Sequence, residues 1–341
     1  MTGIILSTAV NAVFPIVLLI LLGYALRRKG FLTDGFLKTG NKLVFRLCLP
    51  ANLFINVYEM SSAADVAWDV VLYCLVAILV LFMLGMVVGA VTTKDNRRRG
   101  VIWQCAFRSN FAIIGISLST ALGGDEGAAV GAILLSLIVP LFNILAVFAL
   151  QTFVQDDSGR KPSIKRMLID IVKNPMVIGA LIGLVCLGLR AIQNTLFGEV
   201  VFSLSRDVPF IYTVLKNLKS LATPLALLVL GGQFQFSVVK GMFKEIAVGT
   251  LYRVVAAPVL GVGVALLLSR FTNILSCGPE SFPAMLALFG SPVAVSSAVM
   301  AGEMGNDEQL AAQLVVWTSI ASIVTIFAFS CALMATGFIA V

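Results

Sequence analysis

The chain has 341 residues, of which 59% are hydrophobic and 12% charged, with a formal charge of +7 and no histidine. Apolar runs of about 17–25 residues recur from end to end, the length a bilayer core demands, and this excludes a soluble globular protein. The runs alternate too little for barrel strands, and the missing histidine excludes imidazole proton relays and histidine-ligated metals.

The runs predict an all-α polytopic membrane protein with ten transmembrane helices, at 4–26, 43–60, 66–91, 101–122, 128–154, 175–192, 218–236, 246–269, 281–302 and 310–339. The first run has no basic residue before it and ends in "RRKG", so it reads as a span rather than a cleavable signal peptide. Span 2 carries Pro50, Asn52 and Asn56. Span 4 reads "RSNFAIIGISLSTALGGDEG" from Arg108, and span 5 carries Pro140 and Asn143. The connection at 155–173 separates five spans from five, giving an N-terminal half (1–154), a linker and a C-terminal half (174–341). The segment 193–217 is amphipathic and reads as an interfacial or surface loop. Span 9 reads "LFGSPVAVSSAVMAGEMG". Six cysteines without a CxxC spacing read as small packing residues.

Basic residues set the orientation. With the N-terminus outside, sixteen of the 24 Lys and Arg fall in inner loops, five fall outside, and Arg46, Arg108 and Arg253 fall within spans. Both termini are thus expected on the non-cytoplasmic side of the cytoplasmic membrane. The charge is a topology signal and calls for no nucleic-acid partner.

Five spans per half make any internal repeat an inverted one. Pro50 answers Pro224, "STA" at Ser119–Ala121 answers "SSA" at Ser296–Ala298, and "DEGAA" from Asp125 answers "DEQLAA" from Asp307. Spans 4 and 9 are then counterparts, and both are polar in the middle. Pro292 removes a backbone donor and pushes Ser291 out of the helical region. Gly115 is followed by Ser117, Ser119 and Thr120. Breaks of this kind survive in a membrane only inside protein or beside a wet cavity. The predicted site is therefore a midplane crossing of two broken helices, with the outer half of span 4 starting near Ile116–Ser117.

The two stretches "RSNFAIIGISLSTALGGDEG" and "FGSPVAVSSAVMAGEMGNDEQLAAQLV" resemble the two signatures of the auxin efflux carrier family, which includes plant auxin carriers and bacterial permeases for malate and malonate. "FPIVLLILLGYALRRKGFLT" and "KLVFRLCLPANLF" also fit, so the resemblance covers nearly the whole chain. It implies a scaffold of spans 1, 2, 6 and 7, often a homodimer, and a moving bundle of spans 3–5 and 8–10. It also implies substrate at the crossing of spans 4 and 9. The family usually has proline where Ser117 stands; here only span 9 keeps its proline.

All 17 acidic residues fall in loops or at span ends, while three arginines lie within spans. That asymmetry points to an anionic solute and away from a buried carboxylate relay. The candidate substrate-binding residues are Asn52, Asn56, Asn110, Gly115, Ser117, Ser119, Asn143, Ser291, Pro292 and Ser296. Arg108 is the candidate for a positive inner vestibule, with snorkelling to the interface as the alternative. For each asparagine, interhelical bonding is the alternative role. Half-helix N-termini offer free N–H groups to a carboxylate.

The expectation is a secondary transporter for a small mono- or dicarboxylate, possessing no cofactor and working by alternating access among membrane lipids. The coupling ion, proton or sodium, is open; Glu303, Asp307 and Glu308 are the nearest carboxylates. A sodium-coupled carrier of bile-acid-symporter type is the alternative, since "SLST" and "SPVAVSS" could supply oxygen ligands. A lipid or sterol sensor lacks an output domain here. An intramembrane enzyme is disfavoured, since the sequence has no histidine, no Asp pair within spans, no GxSxG and no metal-ligand cluster.

Overall fold

The computed structural model describes residues 2–59, 68–154, 169, 171–272, 275, 278 and 280–338. Among the described residues every regular element is helical, and the sole extended pairing is one isolated bridge. Most of the 155–173 connection and Cys277 lie outside the described residues.

Helix α1 (Thr2–Arg28) leads through a left-handed Gly30 (φ 74°) to α2 (Asp34–Leu43), whose first turn is capped by the Thr33 hydroxyl. A π-helical turn, Val44–Cys48, joins α2 to α3 (Leu49–Tyr58). Helix α4 (Trp68–Thr92) precedes α5 (Asn96–Phe107), which starts on an Asp95 cap. Helix α6 (Phe111–Thr152) folds back on itself at Gly124, where φ is 59° and ψ −150°, so it is two helices joined at a corner.

In the second half, α7 (Pro175–Phe197) starts on an Asn174 cap with Pro175 in its first turn, a favoured pairing because proline has no N–H to leave unpaired there. The single turn α8 (Leu204–Asp207) and α9 (Pro209–Gln233) follow. Much of the 193–217 segment, read from the sequence either as an amphipathic stretch along the interface or as a surface loop, is therefore helical. A 3₁₀ stretch (Phe236–Met242), α10 (Phe243–Leu251), two π turns (Tyr252–Ala256 and Val259–Gly263) and α11 (Val264–Phe271) form one irregular rod. Pro258 sits between the π turns and donates no hydrogen bond, one identifiable cause of the irregularity. The chain closes with α12 (Ser281–Gly290), α13 (Ser296–Glu303) and α14 (Glu308–Ala335), the last capped by Asp307.

Among the described residues six stretches are long and apolar enough to cross a membrane: Trp68–Thr92, Ser117–Thr152, Pro175–Phe197, Pro209–Gln233, Phe236–Phe271 and Glu308–Ala335. Two groups of helices enclose the site. In one, α1 packs on α9 and α3 packs on α7. These contacts are backbone to backbone. A Cβ on Gly23 would stand 2.2 Å from Leu228 O, and one on Gly179 would stand 2.5 Å from Pro50 O. Small residues substitute for hydrophobic driving force where the surrounding solvent is itself apolar. In the other group, α12 packs on α6 and α4 on α5. Arg98 ties three of its elements together at one end, with Nε 2.9 Å from Asp307 and Nη1 3.1 Å from Glu245.

Candidate functional site

Two helices stop and restart side by side. Helix α5 ends at Phe107, Arg108 is extended (φ −87°, ψ 101°), and α6 begins at Phe111. Helix α12 ends at Gly290, Ser291 is extended (φ −63°, ψ 148°), and α13 begins at Ser296. The two interruptions form an antiparallel bridge between Ser109 and Val293. The Asn110 N–H donates to Pro292 O at 2.7 Å, and the Ala294 N–H donates to Arg108 O at 3.3 Å. The Val293 N–H donates to the Thr318 hydroxyl on α14 at 3.1 Å. Each break thus satisfies backbone groups that the other exposes, the condition for irregular backbone inside apolar surroundings.

The first break is a correction. The sequence placed it at Gly115–Ser117, but those residues lie inside α6. Gly115 is small because the Phe111 ring lies over it, 2.4 Å from where a Cβ would stand. Ser117 is exposed, and the Ser119 hydroxyl donates to Gly115 O. No proline or glycine is needed at 108–110, because strand-like pairing with 292–294 supplies the missing hydrogen bonds.

A cavity of about 50 Å³ sits against this crossing. Arg108, Ser109 and Asn110 line it from the first break and Ala294–Ser296 from the second. Asn143 on α6 lines it too, and Asn52 and Thr223 face it from α3 and α9. Arg108 is only 2% exposed. Its guanidinium donates to Asn143 Oδ1 (2.6 Å) and Ser296 Oγ (2.8 Å) and also touches Met300 Sδ. Those partners are neutral, and among the described residues no carboxylate lies within ion-pair distance of it. Beside it, Asn110 Nδ2 and Ser109 Oγ are buried without a hydrogen-bond partner. The N-cap positions of α6 and α13 make no side-chain capping bond either. A cation, two unpaired polar groups and two helix N-termini therefore converge on one small space, an arrangement that favours a carboxylate or similar anion.

The family model described as membrane transport protein matches residues 8–330. The chain belongs to that family. It is the auxin efflux carrier family whose signatures the sequence resembles. The chain is 25% identical over 271 residues to the uncharacterized transporter MJ1031 of Methanocaldococcus jannaschii, covering 77% of this chain and 80% of that one. It is 22% identical over 326 residues to an uncharacterized transporter of Methanothermobacter thermautotrophicus, covering 93% and 95%. The protein is a membrane transporter with several membrane-crossing helices.

In this transporter the remaining predicted residues divide. Asn52 reaches the cavity; Asn56 stands one turn away and donates to Asn52 Oδ1 at 3.3 Å. Asn143 and Ser296 hold Arg108. Pro292 contributes its carbonyl to the bridge, and the Ser291 hydroxyl turns back to Ala287 O, away from the cavity. Gly115, Ser117 and Ser119 do not line it. The vestibule expected at Arg108 is a correction as well, because Arg108 is buried at the break rather than in an open mouth. Arg46 is exposed.

Sequence reasoning missed Ser109 and Thr318 as site residues, and it did not place Arg253 behind the crossing. Ser109 stood in the quoted stretch between two residues already chosen for their chemistry, so the signal was available. Thr318 carries none, since its role depends on α14 passing Val293. A separate, open cavity of about 550 Å³ is lined by Arg27, Asp34, Lys38, Gln233, Glu303 and Glu308. It is larger and carries charges of both signs, with Arg27 paired to Asp34 and Glu303 accepting from Asn41 Nδ2 at 3.1 Å, and none of its lining residues lines the cavity at the crossing.

Proposed function

We propose that this transporter is a secondary carrier for a small organic anion, a mono- or dicarboxylate, held at the crossing of its two broken helices. The observation that carries the reading is Arg108: a buried guanidinium on a cavity, with neutral partners and unpaired Asn110 and Ser109 beside it. Burying an unpaired charge costs several kcal/mol, and an anionic solute would offset that cost each time it binds. A buried charge that no carboxylate among the described residues neutralises is a standing demand for a ligand of opposite sign.

The ten-span reading counts α1; α2 with α3; α4; α5 with the first part of α6; the rest of α6; α7; α9; α10 with α11; α12 with α13; and α14. It gives a five-plus-five inverted repeat with both termini on the non-cytoplasmic side of the cytoplasmic membrane. Placing the crossing at the membrane midplane follows from that count. The helices α1, α3, α7 and α9 act as scaffold, and as the contact surface of a homodimer, while the rest move as a bundle. A cavity of about 50 Å³ holds a few waters rather than an organic acid. Admission of the solute therefore requires the bundle to shift against the scaffold, which is the step that alternating access supplies.

The test is thermal stabilisation of the purified protein by a panel of aliphatic and aromatic carboxylates, each paired with its neutral amide. The expected result is stabilisation by at least one acid and not by its amide, with the affinity falling tenfold or more in Arg108→Met. That factor is about what one hydrogen bond to a charged group is worth. Equal responses to acid and amide, or an Arg108→Met protein that binds like the parent, would end the proposal.

A further inference from the structure

Behind the crossing, on the side away from the cavity, lies a second buried arginine. Arg253 is 0% exposed and belongs to the π turn Tyr252–Ala256. Its guanidinium donates to four backbone carbonyls. Nη1 reaches Ala106 O at 3.3 Å, Nε reaches Ser291 O at 3.1 Å, and Nη2 reaches Phe289 O and, at 3.4 Å, Leu288 O. Ala106 is in the last turn of α5; Leu288 and Phe289 are in the last turn of α12, and Ser291 follows it. Two helix C-termini therefore point their unpaired carbonyls at one place, each with about half a negative charge.

Carbonyls released by interrupted membrane helices ordinarily form the cage that coordinates a mobile alkali cation or proton in coupled carriers. Here a side chain of the protein fills that cage. Among the described residues no carboxylate pairs with Arg253, so the carbonyls are its counter-charge. We infer that the Arg253 guanidinium is a tethered replacement for a coupling cation: it holds both broken ends together permanently, and the crossing requires no sodium to assemble its anion site. The inference deepens the carrier reading and rests on it, because it concerns the coupling ion of that same crossing. Sodium-coupled carriage, the alternative the hydroxyl-rich segments suggested, is thereby disfavoured on a specific ground: the place for the ion is taken.

The experiment needs no knowledge of the transported acid. Melting temperatures of the purified protein are measured in sodium chloride and in choline chloride at matched ionic strength, for the parent and for Arg253→Ala, with and without low-millimolar guanidinium. The parent is expected to melt at the same temperature in both salts. Arg253→Ala is expected to melt lower by about 5 °C or more, given four carbonyls left without a donor, and to recover selectively when guanidinium is added. Selective stabilisation of the parent by sodium would overturn the inference. So would an alanine variant that melts like the parent, or one that responds to guanidinium no differently than to choline. If Arg253→Ala does not fold, the parent's comparison of the two salts still decides. Failure of every carboxylate to bind would sink the carrier reading at Arg108, yet leave these cation results as they stand.

Discussion

Two arginines are buried within a few residues of the same crossing, and they spend their donors in opposite ways. Arg253 gives every contact to main-chain carbonyls at the ends of α5 and α12, so its charge is consumed by the fold. Arg108 rests against an amide oxygen, a hydroxyl and a thioether, and it borders empty space. One arginine is structural cement for two helix C-termini; the other is a charge in waiting beside two helix N-termini. The difference teaches that a buried charge is read by its partners and not by its depth, since both side chains are almost entirely out of reach of solvent.

The contrast makes opposite forecasts for the same substitution. Arg253→Met should have the largest effect on folding, about 3 kcal/mol or more, because the carbonyls it serves would be buried without donors; unfolding in mixed detergent measures it. Arg108→Met should leave stability unchanged or raise it, since a desolvated and unneutralised charge is removed, while carboxylate affinity falls tenfold or more in calorimetry. If both variants were equally unstable, the division between them would be lost. Asn110→Ala should weaken carboxylate binding by about fivefold to tenfold, the value of one hydrogen bond. It should spare the fold, because the amide nitrogen it removes serves no partner among the described residues; flux at the parent rate would remove Asn110 from the site. The smallest effect is expected from Thr318→Val, about 1 kcal/mol of stability, through loss of the acceptor for the Val293 N–H.

The sequence made some of this legible and hid the rest for identifiable reasons. Pro292 disclosed the second break, because a missing donor and a restricted preceding residue act locally; α12 stops at Gly290 with Ser291 extended, as expected. The first break was placed too late, at Gly115–Ser117, because glycine is a familiar local breaker. The true break at Arg108–Asn110 depends on a partner strand nearly two hundred residues away, which no local pattern reveals. The same error misled the internal comparison. "DEGAA" and "DEQLAA" (307 − 125 = 182) come within two residues of the offset at which Ser109 meets Val293 (293 − 109 = 184), whereas "STA" and "SSA" (296 − 119 = 177) fall seven residues out of it. Arg253 lay beyond sequence reasoning for a related reason: its four acceptors are main-chain oxygens, and oxygens of that kind leave no trace in residue types. The polarity of both broken helices, by contrast, was plain in the residues themselves.

The bridge between Ser109 and Val293 has a consequence for how the molecule is made. The segment carrying Ser109 leaves the ribosome some 184 residues before its mate. At ordinary elongation rates that is roughly ten to forty seconds. Until the later segment arrives, the amide and carbonyl groups at 108–110 lack the partners the finished fold gives them and must be met by water or by a continued helical turn. A chain cut short before Val293 therefore never forms the crossing, however many of its earlier helices are in place.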